Sequence, residues 1–488
     1  MIRLYLDWNV FVNMKNNPND KLESLLKENR RKFNVYYSTA HIGDIYKSYN
    51  AEEGINDAIK SDLSLIKRIT KSSCFYISRN HVVVDHREPL ELLEDRIESE
   101  KILGNALSNN NSDMTYVYIQ KMLADLPDFP IENKLTEEQK EQLKKFLPMD
   151  TENITIKNIA NGLITFFREI NTSGRYKDLR QIVQQSLGIN RDKIFNSNNP
   201  YAFLDNLFQN LDTPENSFDD FQNKIFELRN EPAKDWFEII TSNYINLDIT
   251  GYKEDNLKNV SKQYASSNNT FEDAFHTAFA SQCDFYVTND DRNYNKAKAV
   301  YTKLSINTRV LKPSEFIEYL EFSLKEDCQD LTKRISDKIK TGEGYSWENE
   351  NNEVLYTFFA NDFFLDYFNK IIWRPGSNPN EDDWMILLTK EKPTNGRFTI
   401  FNDIQMLLAK LIHQFNIPND NRLLLDGEEI KTIQEYSHWE GRTWDLKTIS
   451  IHFTCHNGYF QLYITSNISE VESESKIVET ADTDLKML

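Results

Sequence analysis

Short apolar runs alternate with amphipathic segments over the first 88 residues of the chain. The strand-like runs cover residues 2–6, 34–37, 74–77 and 82–84. Apolar side chains recur at helical spacing over residues 22–33 and 55–70, which predicts amphipathic helices there. This alternation predicts an α/β domain in which a mostly parallel sheet is flanked by helices.

The segment from residue 89 to residue 264 has a different character, because it is rich in Asn, punctuated by Pro, and helical in its patterning. Helices are predicted over residues 135–146, 159–170, 179–187, 202–211 and 218–228. The α/β pattern then resumes, with helices over 271–282, 293–303 and 313–322 and strands over 285–287 and 309–311. We therefore predict one core, made of residues 1–88 and 265–324, that is interrupted by a large helical insertion.

The last third of the chain predicts a separate domain of unknown role. A polar linker helix is expected over residues 325–344, and an α+β domain over 345–467. Within that domain the pattern indicates helices over 358–372 and 403–415 and strands over 384–389, 398–401, 450–454 and 459–465. Residues 468–488 form an acidic polar tail that we expect to be disordered.

The bulk composition fits a multidomain protein with substantial cores. At 488 residues, two or three domains are expected, and 39% hydrophobic with 12% aromatic residues is enough to build them. No apolar run reaches the length of a membrane span, and the start of the chain does not have the pattern of a signal peptide. The four cysteines form no CxxC pair, so we expect a reduced, cytoplasmic setting.

The net charge of −19 limits how the chain can contact nucleic acid. From residue 325 onward it carries 17 Lys and Arg against 28 Asp and Glu, and the first 324 residues carry 40 against 48. Proteins that grip long duplexes usually present a basic face. Any groove for nucleic acid is therefore expected to be local and in the first part of the chain, or an acidic substrate is admitted through a bound cation.

Four aspartates occupy equivalent places in the α/β pattern. Asp7 follows the first strand, Asp44 lies in the helix after the second strand, Asp273 lies in the first turn of its helix, and Asp290 follows the strand at 285–287. The carboxyl ends of parallel strands meet at one sheet edge. A hard divalent cation such as Mg²⁺ prefers several oxygen ligands from different elements. The pattern therefore predicts an acidic metal site.

These segments resemble the motifs of the PIN-domain nucleases, a family of Rossmann-like α/β enzymes that cleave single-stranded RNA. The matching segments are residues 4–9 (LYLDWN), 38–44 (STAHIGD), 273–280 (DAFHTAFA) and 287–290 (VTND). The resemblance covers about residues 1–88 and 265–322. It implies a PIN-like core and a metal-dependent endonuclease that acts on RNA, or alternatively on DNA, in a toxin-like or phage-defence role.

The resemblance also implies roles for individual residues. Asp7 and Asp290 would hold Mg²⁺ or Mn²⁺ most directly, Asp273 would join them or hold a second ion, and Asp44 would bind or orient through water. The metal would polarise a phosphate oxygen and activate the attacking water. The side chains expected to orient these ligands are Asn9, Thr288 and Asn289. Contact with the nucleic-acid backbone is expected from Arg292 and Lys296.

Other interpretations stay open beside this one. The core could be a catalytically silent scaffold, with the helical insertion or the C-terminal domain binding a protein partner. His276, one turn after Asp273, is expected to form hydrogen bonds rather than to ligate metal. A zinc site is a weaker alternative, because its donors meet no zinc spacing rule; they would be His438, His452, Cys455 and His456.

Overall fold

The structure of the protein is a computed structural model. It describes residues 1–78, 81–107, 175–210, 217–220, 236–254, 266–326, 331–342, 344–376, 383–391, 397–435 and 437–466. The helices predicted over 135–146 and 159–170, nearly all of the one over 218–228, and the acidic tail over 468–488 lie outside the described residues.

The first sheet has six strands in the order β4-β3-β2-β1-β5-β6. Their bounds are β1 (Ile2–Leu6), β2 (Phe33–Ser38), β3 (Ser73–Ser78), β4 (His81–His86), β5 (Phe285–Val287) and β6 (Arg309–Leu311). Neighbouring strands from β3 to β6 are parallel, and β4 pairs antiparallel with β3 at one edge. The predicted α/β class with a mostly parallel sheet is therefore confirmed.

Helices pack on both faces of this sheet. Within residues 1–107 the helices are α1 (Trp8–Asn16), α2 (Lys21–Glu28), α3 (Thr39–Tyr46), α4 (Asp57–Thr70) and α5 (Pro89–Leu107). From residue 175 onward the described helices of this part of the chain are α6 (Arg175–Ser186), α7 (Arg191–Phe195), α8 (Pro200–Gln209), α9 (Trp236–Thr250), α10 (Ser266–Ala280), α11 (Asp291–Lys303) and α12 (Pro313–Glu326). All five residues of β1 are buried, as a central strand covered on both faces requires.

The strand order reverses at β1, which has β2 on one side and β5 on the other. Leu6 at the end of β1 pairs with Val287 at the end of β5, so Asp7 and Thr288 leave the sheet side by side. The Asp7 N–H donates to the Val287 carbonyl at 2.9 Å, which fixes this alignment. Open α/β sheets bind ligands in the crevice at such a reversal, at the carboxyl ends of the strands.

The second sheet has seven antiparallel strands in the order β11-β12-β13-β10-β9-β8-β7. Its strands are β7 (Gly344–Glu348), β8 (Val354–Phe364), β9 (Phe368–Arg374), β10 (Met385–Thr389), β11 (Trp439–Asp445), β12 (Ile449–His456) and β13 (Tyr459–Ser466). The accompanying helices are α13 (Leu331–Thr341), α14 (Arg397–Phe415) and α15 (Gly427–Gln434). Leu331 and Ile335 of α13 share a core with this sheet, so much of the segment predicted as a linker packs here.

Two predictions within this region are wrong. The helix predicted over residues 358–372 is a hairpin of β8 and β9, whose connection places Leu365 and Asp366 at positive φ. The strand predicted over residues 398–401 is instead the first turn of α14, where Ile400 and Ile404 begin an apolar helical face. The aromatic and β-branched content of both segments was misleading about their periodicity.

The two sheets are joined by buried ion pairs. The N-terminal ammonium of Met1 lies 2.8 Å from an Asp403 oxygen, and Lys390 Nζ lies 2.7 Å from Asp284 Oδ2. Both contacts lie at the amino edge of the first sheet, away from Asp7. Among the described residues, no helix is both long enough and apolar enough to cross a membrane.

Candidate functional site

Asp7 is the centre of the hydrogen bonds at the strand-order reversal. It is 2% exposed and caps the start of α1, with Oδ1 accepting from the Trp8 N–H at 2.7 Å. Its Oδ2 accepts from Thr288 Oγ1 at 2.6 Å, Asn9 Nδ2 at 2.7 Å and Asn293 Nδ2 at 3.0 Å. The predicted orienting residues Asn9 and Thr288 therefore contact this carboxylate directly.

Asn293 connects the carboxylate to the interior on the insertion side. Its amide nitrogen lies 2.7 Å from the Tyr286 hydroxyl as well as donating to Asp7. Its amide oxygen accepts from Tyr244 and Thr277, each at 3.3 Å. Asn293 was not predicted from the sequence, although its place three residues after the helix-capping Asp290 is a local signal for a side chain near the site.

His276 links Asp7 to Asp44. Its Nε2 lies 2.8 Å from Asp44 Oδ2 and 3.9 Å from Asp7 Oδ1, and its Nδ1 lies 2.8 Å from the Tyr5 hydroxyl. Burial alone would lower the pKa of His276, but the hydrogen bond to Asp44 and the charges of Asp7, Asp44 and Glu272 raise it overall. The imidazole thus lies between two of the predicted ligands, consistent with a hydrogen-bonding histidine.

A second buried histidine has its pKa shifted in the opposite direction. His41 Nε2 donates to the Leu6 carbonyl at 2.7 Å, and the Ser38 N–H donates to His41 Nδ1 at 3.0 Å. Burial and the neighbouring charge of His276 lower the pKa of His41 well below its usual value. The Tyr5 hydroxyl lies 2.5 Å from Ser38 Oγ and connects the two histidines, at 3.3 Å from His41 Nδ1 and 2.8 Å from His276 Nδ1.

The pKa values of the two carboxylates in this network, Asp7 and Asp44, are shifted in opposite directions. Burial raises the pKa of Asp7, and the charges of Asp44 and Asp290 add to the increase while His276 and Thr288 oppose it. Burial would also raise the pKa of Asp44, but hydrogen bonds from His276 and Lys47 lower it to about 2. Asp44 is therefore anionic at neutral pH, and Asp7 is held among like charges.

Asp290 lies at the end of the other strand, on the exposed side of the site. It caps α11, with Oδ1 accepting from the backbone N–H groups of Arg292 at 2.7 Å and Asn293 at 2.9 Å. The Asn289 N–H donates to Asn9 Oδ1 at 2.9 Å, which ties the loop after β5 to the start of α1. One oxygen of Asp290 is thus used for capping, and the carboxylate lies at the mouth of the crevice.

The middle of α10 contributes two acidic residues. Asp273 was predicted in the first turn of its helix, but the helix begins at Ser266, so Asp273 lies about two turns from its start. Asp273 is half-buried, and its charge is among the causes that raise the pKa of the Tyr286 hydroxyl, after burial and Asp7. Glu272 is 7% exposed, and burial followed by the charge of Asp44 raises its pKa to about 7. Glu272 was not among the residues predicted from the sequence, and it lies directly over Gly43 in α3.

Arg292 and Lys296, which were predicted to contact a nucleic-acid backbone, differ in their exposure to solvent. Arg292 is half-buried in the first turn of α11, beside Asp290. Lys296 is fully buried, with Nζ 2.9 Å from Asp248 Oδ1 and 4.7 Å from the centre of the Tyr244 ring. The predicted substrate contact of Lys296 is therefore corrected to a structural ion pair, because its ammonium has no exposed surface. Lys296 lies on the same helical face as Ala297 and Val300, and this position in the sequence already indicated that its side chain is buried.

The alternative zinc donors do not form a closed set. His452 Nε2 donates to the Glu440 carbonyl at 2.6 Å, and the rings of His438 and His456 lie 5.5 Å apart. Cys455 is buried, which raises the pKa of its thiol to about 12. A neutral thiol is a poor zinc ligand, because the metal binds the thiolate.

The acidic residues offer the oxygen donors that Mg²⁺ and Mn²⁺ take. They come from β1, α3, α10 and the loop after β5, and they influence one another's charge. In the ranges that the structure describes, no group of three or more His, Cys, Asp or Glu side chains has an arrangement that could hold a metal ion. The donor chemistry suits a hard cation, but the described side chains do not form a closed metal centre.

Comparison with known proteins adds no assignment. The chain matches no protein-family model, no curated protein and no solved structure.

Proposed function

We propose that this chain is a divalent-metal-dependent endonuclease with a PIN-like core. The observation that carries the proposal is the placement of Asp7 and Asp290 after two adjacent parallel strands, at the point where the strand order reverses. That crevice is where open α/β sheets bind ligands. Asp44 and Asp273 approach the same crevice from α3 and α10, in the order that the resemblance implies.

Each carboxylate has a distinct part in this proposal. Asp7 and Asp290 hold Mg²⁺ or Mn²⁺, and Asp273 and Asp44 complete the oxygen donors, directly or through water. A bound ion of this kind polarises a phosphate oxygen and lowers the pKa of an attacking water. Thr288, Asn9 and Asn293 fix the orientation of Asp7 through its Oδ2. Side chains that orient ligands in this way tune both affinity and activity.

The substrate class rests on the resemblance together with the charge of the protein. A net charge of −19 repels a long duplex on average, so a short contact with a single strand suits the chain better. Single-stranded RNA is therefore the favoured substrate, with DNA as the second choice. A toxin-like or defence role is consistent with such an enzyme and follows from the resemblance alone.

The proposal is tested by incubating labelled single-stranded RNA and DNA of one sequence with the full chain. Parallel reactions contain Mn²⁺, Mg²⁺ or EDTA. We expect cleavage of RNA with either metal and none with EDTA. Intact RNA and DNA under all three conditions would contradict the proposal.

One observation favours the alternative of a silent scaffold. The imidazole of His276 already occupies the space between Asp7 and Asp44, and four protein donors satisfy the Asp7 carboxylate. The two functions differ in their response to metal. A nuclease should gain thermal stability on addition of Mn²⁺, since a ligand that binds the folded state stabilises it. A scaffold should show the same unfolding temperature with Mn²⁺ and with EDTA.

A further inference from the structure

A strongly basic groove lies between the two sheets, on the side of the first sheet opposite to the acidic site. It consists of two adjoining cavities of about 690 Å³ and about 470 Å³ that share Arg31 and Met406 in their walls. We call this feature the basic groove. Its cationic side chains are Lys27, Arg30, Arg31, Lys32, Arg68, Lys71, Arg334 and Lys410. The same walls contain only two carboxylates, those of Glu23 and Asp366. Such a concentration of positive charge is unusual in a chain of net charge −19.

The position of the basic groove separates it from the proposed metal site. Met1 precedes β1, Phe33 begins β2 and Ser73 begins β3, and all three line the larger cavity. The parallel strands therefore present their amino ends to the basic groove and their carboxyl ends to Asp7. A five-residue strand spans roughly 16 Å, so one small ligand cannot contact both places.

Much of this positive charge is left without an acidic partner. Arg68 pairs with Glu23, and Lys32 and Lys410 share Asp366. Within the part of the chain that the structure describes, Lys27, Arg30, Arg31 and Lys71 form no ion pair. These four side chains are exposed and line one cavity, so their mutual repulsion is relieved when an anion enters.

Helix ends account for part of this composition. Lys27 and Arg68 lie in the last turns of α2 and α4, where cations interact favourably with the helix dipole. Arg30 and Arg31 lie beyond the end of α2, in the connection to β2, and face α14 of the second sheet's domain across the cavity. Arg30 and Arg31 are within one turn of the end of α2, so its dipole favours their charge as well. The dipole does not account for their gathering around one cavity with Arg68 and Lys71, which come from the end of α4.

The other walls of the larger cavity have the chemistry of a nucleotide site. α14 contributes the amide side chains Asn402 and Gln405 beside Met406, and the floor includes Leu26 and Phe33. Pockets for small ligands are typically about 300–1,000 Å³, mostly apolar with a few polar groups, and often lie between domains. The hydrogen bond from Asn34 Nδ2 to Asp403 Oδ1 at 3.1 Å holds α14 against β2 and so fixes the spacing of the two walls.

We propose that the basic groove binds a multiply phosphorylated ligand of nucleotide size, with the phosphates against Lys27, Arg30 and Arg31 and the nucleoside against α14. A single-stranded nucleic acid is less suited to it. Proteins that bind single strands without sequence preference stack bases on exposed aromatic rings. Among the described residues that line the two cavities, Phe33 is the one Phe, Tyr or Trp and is only 5% exposed; the other ring is the imidazole of His413.

The test is calorimetric titration of the full chain with ATP, GTP and inorganic tripolyphosphate in the presence of EDTA. EDTA removes any contribution of a metal at Asp7, so the result does not depend on the proposed nuclease activity. We expect saturable binding of ATP or GTP, tighter than that of tripolyphosphate because the nucleoside contacts α14. The triple variant Lys27→Gln, Arg30→Gln, Arg31→Gln should bind at least about 10-fold more weakly.

The matched control removes three exposed cations elsewhere, in the variant Lys60→Gln, Lys431→Gln, Lys447→Gln. It should bind as the wild type does, and both variants should unfold at the wild-type temperature. The proposal is overturned if neither nucleotide binds at concentrations up to about 1 mM. It is equally overturned if tripolyphosphate binds as tightly as the nucleotides, or if short single-stranded RNA binds and mononucleotides do not.

Discussion

The Nδ2 atom of Asn293 donates a hydrogen bond of 3.0 Å to Oδ2 of Asp7, across 286 residues of sequence. This contact joins the two separated parts of the α/β core at the place where their strands meet. Because the same amide also contacts Tyr286, Thr277 and Tyr244, it transmits the packing of α9 and α10 to the buried carboxylate. The helical segment thus supports the proposed site as well as covering the sheet.

Asn293→Ala should weaken the proposed site more than the fold. The change leaves buried polar groups on Asp7, Tyr286 and Tyr244 with one partner fewer, which costs about 1–3 kcal/mol of unfolding free energy. Loss of a side chain that orients a ligand typically lowers metal affinity or activity about 10- to 100-fold. We expect the Mn²⁺ concentration for half-maximal cleavage to rise by that factor, as measured by titration. Asn295→Ala, on the same helix, should leave it unchanged.

Gly43 and Glu272 should be energetically coupled. A Cβ built on Gly43 would lie 2.1 Å from Glu272 Oε1, so Gly43→Ala displaces the glutamate. In a Glu272→Ala background that clash is absent, and Gly43→Ala should stabilise α3 by roughly 0.5–1 kcal/mol because alanine favours helix. In the wild-type background the gain should disappear, as measured by urea unfolding. Equal effects in both backgrounds would show that Glu272 does not lie over Gly43.

Lys296→Met should be strongly destabilising. Lys296 and Asp248 are both fully buried, and removing one partner of a buried pair typically costs about 3–5 kcal/mol. Arg180, 3.1 Å from Asp248, will lessen the loss by keeping one partner in place. Lys298→Met, two residues along the same helix and exposed, should change the free energy of unfolding by less than about 0.5 kcal/mol. Similar effects of the two changes would contradict the burial of Lys296.

The pair of Glu429 and Arg442 should make the second sheet's domain sensitive to acid. Burial alone would raise the pKa of Glu429, but hydrogen bonds from Arg442, the Asp426 backbone and Trp439 lower it to about 2. A folded-state pKa below the unfolded value of about 4.3 gives stability that is present above that pH and is lost as the pH falls toward 2.

We expect the unfolding temperature to drop between about pH 5 and about pH 2. The drop should be smaller in Arg442→Met and unchanged in Lys431→Met, which removes an exposed cation of α15. Thermal unfolding followed by tryptophan fluorescence measures this. An identical pH dependence in Arg442→Met and the wild type would exclude the pair as its source.

The α/β core could be predicted because its signals are local. A buried strand that runs directly into a helix-capping aspartate is visible in a few residues, as at Asp7 and Asp290. The neighbouring roles of Asn9 and Thr288 follow from the same few residues. Partners that come from distant elements, such as Tyr5 with His276 or Glu272 over Gly43, depend on packing that no short pattern encodes.

The second sheet was harder to predict for physical reasons. The turn between β8 and β9 uses Leu365 and Asp366 at φ of 54° and 55°. Glycine and asparagine usually mark such turns, so the hairpin gave no sequence signal and its aromatic strands resembled a helix. The predicted role of Lys296 was wrong for a different reason. Its charge suggested an exposed helical face, although its position in the helix places it in the interior.

The decisive measurement is the rate at which three proteins cleave labelled single-stranded RNA in Mn²⁺: the wild type, Asp290→Asn and Asp291→Asn. It tests whether a metal centre lies at the carboxyl ends of β1 and β5. Asp290 lies at the mouth of the crevice, whereas its neighbour Asp291 is 90% exposed and pairs with Lys312 at 2.7 Å. The account predicts that Asp290→Asn loses at least about 100-fold in rate and that Asp291→Asn cleaves as the wild type does. Equal rates for all three proteins would contradict a metal centre at the carboxyl ends of β1 and β5.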